Sequence, residues 1–432
     1  MNRGTPPLAI LRGTPPLAIL RGTAAAALLL ALAGCAGAAG GNARLDTVEA
    51  SGDGTLRIGL ILDNTGEQSF LNDAQRAAAE AAVKDINAAG GHKGKPVELI
   101  IEMGDDAGQQ ARKLVDGKAD AVVGPTDSSH AAAAIDVLSA ARTPLISPAN
   151  SAAALSTYKS GGYYFRTAPT DVAQASVLVK LAKDGGARKI SVVHQDSAYG
   201  NDVSAAVAAA ATAAGLETVS TTAFKPGAAQ KAAAAAREAK PDAVVLIARE
   251  DAQGALAELN NAGLSGSKLI LSDGAFAQYG SGLGSKALDG ARAVVPGGLP
   301  SAAFQARLLA ISPGLKDLSF GAEAYDAVNL AALAAATAGD DAGRSIAANL
   351  ITASGGTPDG QETAPAGKTC RTYADCLAVL KTGAKINYDG ESGHIAFDSH
   401  GDITAANFMV FTYGVDNRAV LTGREAAGRT AG

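Results

Sequence analysis

The chain has 432 residues, room for two domains, with 18% charged residues, 4% aromatics, no Trp and a net charge of −5. Residues 1–34 hold Arg3, Arg12 and Arg21 and no acid, so the remainder carries −8. A mildly acidic chain without a basic run argues against a nucleic-acid partner, and its Ala- and Gly-rich composition is well able to bury a core.

The N-terminus reads as an address. Residues 3–11 and 12–20 are a tandem copy, RGTPPLAIL twice, taken as a duplicated leader that leaves the true start codon open. Arg21 precedes an apolar run, Ala24 to Ala33, too short to span a bilayer. The run ends Leu32-Ala33-Gly34-Cys35 and resembles the lipobox of bacterial lipoprotein signal peptides. That resemblance implies removal of residues 1–34 and lipidation of Cys35, anchoring the chain to the cell membrane on its outer side. A plain secretory signal with an incidental Cys is the other reading. Residues 35–54 read as a flexible Gly/Ala-rich tether.

Apolar runs and turn signals then alternate. Strand Thr55–Leu62, a helix from Asn72 to about Asn87 and strand Pro96–Met103 form a βαβ unit, hence a parallel sheet. Helix 107–117 and strand Ala121–Val123 follow. Gly124-Pro125 breaks the chain, and Thr126-Asp127-Ser128-Ser129 supplies N-cap residues for a helix to about Ala141. A strand at Pro144–Ser147 ends in a second polar turn with Asn150 and Ser151. Two neighbouring strands thus end in hydroxyl-bearing loops at the carboxyl edge of a sheet, where α/β folds bind ligands. Ser128 and Ser129 at a helix N-terminus suit a carboxylate. A second series spans helix 170–184, strand 189–194, helix 199–214, strand 217–224, helix 228–239, strand 243–247, helix 251–262 and strands 268–271 and 291–295. Helices near 301–309, 321–338, 343–353 and 372–382 come next, then short strands near 386, 393–397 and 407–413. Cys370 and Cys376 are expected to form a disulfide in an oxidising compartment, with two free thiols as the alternative.

The ordered blocks DINAAGG (from Asp85), GDDAG (from Gly104), VVGPTDSS, PLISPANS, FRTAPTD (from Phe165), HQDSAYG (from His194), GAEAYDAVNLAALAAA (from Gly321) and SGHIAFDSHGD (from Ser392) resemble the type I periplasmic binding proteins. The nearest branch is the Leu/Ile/Val-binding proteins of ABC importers. The resemblance implies an α/β fold of two Rossmann-like lobes with parallel sheets, joined by three crossovers at a hinge. Lobe 1 would be 55–168 plus 298–385, and lobe 2 would be 169–297 plus 386–425. It also implies a monomer that binds a small molecule between its lobes, without cofactor or catalysis, and delivers it to an ABC permease. Carried over by motif, Ser128 and Ser129 would meet the ligand's carboxylate. Asn150 and Ser151 would meet its ammonium or carboxylate, Tyr199 would act as a lid contact, and Asp273 would pair with the ammonium. Phe70 would supply an apolar contact. The aromatic wall that relatives place after the 243–247 strand is replaced by Ala248-Arg249-Glu250, with Arg249 a candidate contact; beside a branched-chain amino acid, a polar or charged one, or another small amide or carboxylate, fits equally well.

Plainer readings stand beside these. Ser128 and Asn150 suit turn capping, Asp273-Gly274 is a common turn pair, and Arg249 suits a solvated loop. Glu323, Tyr325 and Asp326, on a mostly apolar helix, read as packing or hinge residues. A signalling receptor of the same fold is the rival function, and an α/β enzyme a further one. Against an enzyme, the chain has no GxSxG elbow, Pro96 replaces the hydroxyl residue of a phosphate loop after Gly94-Lys95, and the five His make no metal-ligand pair.

Overall fold

The first apolar run forms β1 (Arg57–Asp63), with Ile58, Leu60 and Leu62 buried on one face and Ile61 on the other. A strand buried on both faces needs helices on both. The computed structural model, described over residues 42–63, 71–298, 300–357 and 367–428, supplies them. After β1 come α1 (Asn72–Ala88), β2 (Glu98–Gly104), α2 (Ala107–Asp116), β3 (Ala121–Val123), α3 (Ser128–Ala140), β4 (Leu145–Ser147) and β5 (Tyr164–Arg166). The five strands lie parallel in the order β2-β1-β3-β4-β5. Asp106 and Asp127 cap α2 and α3 by accepting from Gln109 N (2.9 Å) and Ser129 N (2.8 Å). Gly124, at φ +100°, is required where β3 leaves the sheet, because a Cβ there would lie 2.4 Å from the Ile61 carbonyl.

The second series is α4 (Gln174–Asp184), β6 (Lys189–Gln195), α5 (Ala198–Ala214), β7 (Glu217–Phe224), α6 (Gln230–Glu238), β8 (Ala243–Ile247), α7 (Ala252–Asn261), β9 (Leu269–Leu271) and β10 (Arg292–Pro296). Its sheet buries Ile190 and Val192 against α4 and α5, and Val244 and Leu246 against α6 and α7. The chain then returns to the first sheet with α8 (Ala302–Ile311), α9 (Gly321–Ala338), α10 (Gly343–Ala353), β11 (Lys368–Cys370), α11 (Tyr373–Lys381) and β12 (Ile386–Tyr388). Residues 321–335 of α9 are all buried, the signature of a helix enclosed by neighbours rather than lying on a surface. Antiparallel β13 (Ala405–Tyr413) and β14 (Ala419–Gly428) complete the second sheet, in the order β14-β13-β10-β9-β8-β6-β7.

Three features differ from the sequence reading. β5, β11 and β14 were not expected, and 393–397 forms no strand but only isolated bridges, His394 to Asp389 and Phe397 to Ile403. Ile386, Tyr388, Ile395 and Phe397, expected beyond residue 385 in the second lobe, pack into the core of the first sheet, and Ile403 touches both cores. The tether expected over 35–54 is docked from Asn42 onward. Ala43 N donates to Gly161 O (2.9 Å), Gly52 N to Asp340 (2.9 Å) and Gly54 N to Asp341 (2.9 Å). Cys370 and Cys376 are joined as a disulfide.

Buried ionic contacts hold the crossovers. The fully buried Arg166 donates through Nε to Asp402 (2.6 Å), through Nη1 to Ala152 O (2.8 Å) and through Nη2 to Ser156 Oγ (2.6 Å). Burial acts to raise the Asp402 carboxyl, but Arg166 holds it below the usual carboxylate range. Asp326 on α9 accepts from Tyr388 OH (2.7 Å) and the backbone of Glu391 (3.0 Å) and Ser392 (2.7 Å).

Candidate functional site

A cleft of about 490 Å³ opens between the two sheets, along the first crossover and the start of α9. Its polar lining includes Ser151, Asp171, Gln174, Arg249, Asp273 and Glu323. Apolar walls come from Leu71, Pro169, Leu318, Phe320 and Phe408. A concave apolar pocket with a few convergent polar groups is the usual form of a small-ligand site.

The second-sheet side of this cleft is tightly bonded. Asp273, just after β9, accepts from Gln174 Nε2 (2.7 Å) and from the Tyr199 hydroxyl, both at Oδ1. Its own N–H donates to Gln174 Oε1 (3.1 Å). Among the described residues none donates to Oδ2. Tyr199 lies at the start of α5, whose N-cap Ser197 accepts from Gly200 N. Gly200 is needed beside it, since a Cβ would lie 1.9 Å from the Gln195 carbonyl. Burial, then the charges of Asp273 and Asp171, push the Tyr199 hydroxyl well above its usual value, so it remains a donor.

Arg249 follows β8. Its guanidinium lies 4.1 Å from the centre of the Tyr199 ring, a stacked cation–π contact. Nη2 donates to Asp171 (2.9 Å) and Ser151 Oγ (3.4 Å), so this one side chain touches both rims. Burial and Asp273 push the Asp171 carboxyl up, to about 6, against the pull of Arg249. The backbone N–H groups of Arg249 and Glu250 are fixed by Gln195 Oε1 (2.9 and 3.0 Å).

The other residues expected to touch ligand lie differently. The Ser128 hydroxyl accepts from Ser151 N (3.1 Å) and Ala152 N (3.3 Å), joining the two polar loops, and does not line the cleft. Ser129 is exposed and bonds its own cap, Asp127. Asn150 is fully buried, donating to the carbonyls of Pro125 (3.1 Å) and Thr126 (3.0 Å). Phe70 and Cys35 lie outside the described residues.

Sequence reasoning missed Asp171, Gln174 and Glu323 as lining residues. Asp171 stands inside the FRTAPTD block, which was the available signal. Gln174 carries none. Glu323 was visible as a lone acid among alanines. Tyr325, two residues on, does serve packing: its hydroxyl donates to Asp85 (2.7 Å). Among the described residues there is no cluster of three or more metal-binding side chains, and no helix long and apolar enough to cross a membrane.

Comparison with known proteins gives the geometry a family. A periplasmic binding protein family model matches residues 55–375. The Leu/Ile/Val-binding protein BraC3 of Rhizobium johnstonii is 32% identical over 179 residues, 40% of this chain and 48% of that protein. The match thus spans about half the length of such relatives. A chemotactic signal transduction system substrate-binding protein, BasB of Halobacterium salinarum, is 26% identical over 84% of this chain and 88% of its own. Among solved structures, the branched-chain amino acid transporter substrate-binding protein LivJ of Streptococcus pneumoniae, in complex with isoleucine, aligns with TM-score 0.61 at 22% identity. It covers 87% of this chain and 100% of its own. A solute-binding protein of an ABC transporter from R. palustris, in complex with benzoate, gives 0.59 at 19% identity, over 88% and 98%. The chain belongs to the periplasmic binding protein family and has its type I fold.

Proposed function

We propose that this protein is the lipid-anchored substrate-binding component of an ABC importer, holding a small amino acid between its lobes without chemical change. It would act as a monomer, anchored at the cell membrane through Cys35, and deliver its ligand to a permease. One observation carries the reading: Asp273 is fixed at Oδ1 by Tyr199 and Gln174 while Oδ2 is left to the cleft, suited to an α-ammonium. Arg249 and the Ser151 hydroxyl offer donors for the α-carboxylate. A ligand lacking either group would forgo one of these charge-assisted contacts.

The test is mass spectrometry of co-purified ligand, followed by calorimetric titration. Asp273→Ala should weaken an amino acid by about tenfold or more, about 1.4 kcal/mol. Unchanged affinity removes Asp273 from the site. The similarity to a chemotactic binding protein favours a second reading, a receptor feeding a signalling partner. Deleting the gene separates the two: uptake fails in the first case and taxis in the second. The benzoate-bound neighbour makes aromatic acids a necessary arm of the titration.

A further inference from the structure

Two acids and a tyrosine on α9, Glu323, Asp326 and Tyr325, read alike in the sequence, and the structure separates them. Tyr325 and Asp326 are fully engaged, the first with Asp85 and the second with Tyr388, Glu391 and Ser392. Glu323 is not. Only 6% of it is exposed, and that surface lines the cleft. Among the described residues no other side chain donates to its carboxyl, and the one hydrogen bond acting on it comes from its own backbone.

Its position is held from both sides. Thr167 Oγ1 donates to the Glu323 carbonyl (2.9 Å), tying this turn of α9 to the first crossover. Oε1 lies against Gly297 on the second crossover, where a Cβ would come within 2.9 Å. A carboxyl in the first turn of a helix is favoured by the helix dipole, but such groups ordinarily face water. This one is buried and faces a cavity.

Glu323 also stands apart from the charges at the other end. Asp171 and Arg249 act on each other and feel Asp273; the charge acting on Glu323 is Asp326. The cleft therefore carries a second acidic group apart from that cluster, and its lining also offers the apolar surface of Leu318, Phe320 and Phe408. Burial pushes the Glu323 carboxyl up to about 7, so a cation beside it would be needed to make the charged form comfortable.

Building on the amino-acid reading above, we infer that Glu323 is a specificity-determining residue that selects an amino acid whose side chain ends in a cation, with an apolar stem crossing the middle of the cleft. Lysine, ornithine and arginine have this form. The carboxylate of Glu323 accepts from the terminal ammonium or guanidinium, while Asp273 and Arg249 hold the α-groups.

Lysine and norleucine differ only in the terminal ammonium and so isolate this contact. The experiment titrates L-lysine, L-arginine, L-norleucine and L-leucine into the wild-type protein and into Glu323→Gln, an isosteric change that keeps the fold. Lysine or arginine should bind wild type about tenfold or more tighter than norleucine, the scale of one charge-assisted hydrogen bond. Glu323→Gln should bring the two within about threefold, by weakening the cation and leaving norleucine unchanged. Norleucine or leucine binding as tightly as lysine, or a lysine preference that survives in Glu323→Gln, overturns the inference and leaves the amino-acid reading standing. No binding of any of the four overturns both.

Discussion

Replacing Glu323 by Gln also has a consequence for stability that needs no ligand. In the unfolded chain this carboxyl titrates near 4.5, and in the folded protein burial carries it to about 7. Folding therefore favours the protonated form. The stabilising contribution is complete below pH 4.5 and disappears as pH rises through 7. Each step of one in pKa is worth about 1.4 kcal/mol, so ionised Glu323 costs the native state on the order of 3 kcal/mol above pH 8. Gln cannot ionise and escapes this cost. The variant should match wild type to within about 1 kcal/mol at pH 5, and its advantage should grow by about 2 to 3 kcal/mol by pH 8. Asp120 at about 7 and Asp171 at about 6 titrate in both proteins and cancel in the difference, whereas Asp326, whose charge acts on Glu323, contributes to it. The chain has no Trp, so urea unfolding is best followed by far-UV circular dichroism. Stability curves for the two proteins that run parallel from pH 5 to pH 8 would refute the reasoning.

Arg249→Ala removes both the carboxylate donor and the stacked contact on Tyr199, and should weaken an amino-acid ligand about tenfold or more by calorimetry. Arg166→Met strands Asp402 in a buried site without its cation. Urea unfolding should report a loss of about 3–5 kcal/mol, and a loss below about 1 kcal/mol contradicts the role given to that pair. Reducing the Cys370–Cys376 bond, which closes a short loop, should lower stability by about 2 kcal/mol in matched oxidised and reduced samples. Cys35→Ser should move the protein from the membrane fraction to the soluble one; retention in the membrane contradicts lipidation.

The inner parallel strands were legible because both their faces are buried. Runs such as Ile58–Leu62 and Ala243–Ile247 are almost wholly apolar, and three of the helices between strands, α2, α3 and α5, carry side-chain caps. β5 escaped because it is three residues long and ends in Arg166, a charge that pattern reading sends to the surface. Its partner Asp402 stands 236 residues away, and no local pattern links them. β14 escaped because it is an outer strand of mixed polarity, with Val420 61% exposed. The serine loops show a different limit. Their sequence indicated hydroxyls close together, but not that the Ser128 hydroxyl would be taken by the amides of Ser151 and Ala152. Glu323 read as packing because its neighbours do pack, and only the fold sets its buried carboxyl at the cleft wall.

On the proposed reading, Asp171 stands where an incoming carboxylate would bind, already engaging the guanidinium of Arg249. The protein thus carries a built-in rival for its own cation. A guest anion must share that head group or displace a competitor that never diffuses away. Loosely fitting acids would lose that contest, and without a guest Asp171 keeps the arginine from straying.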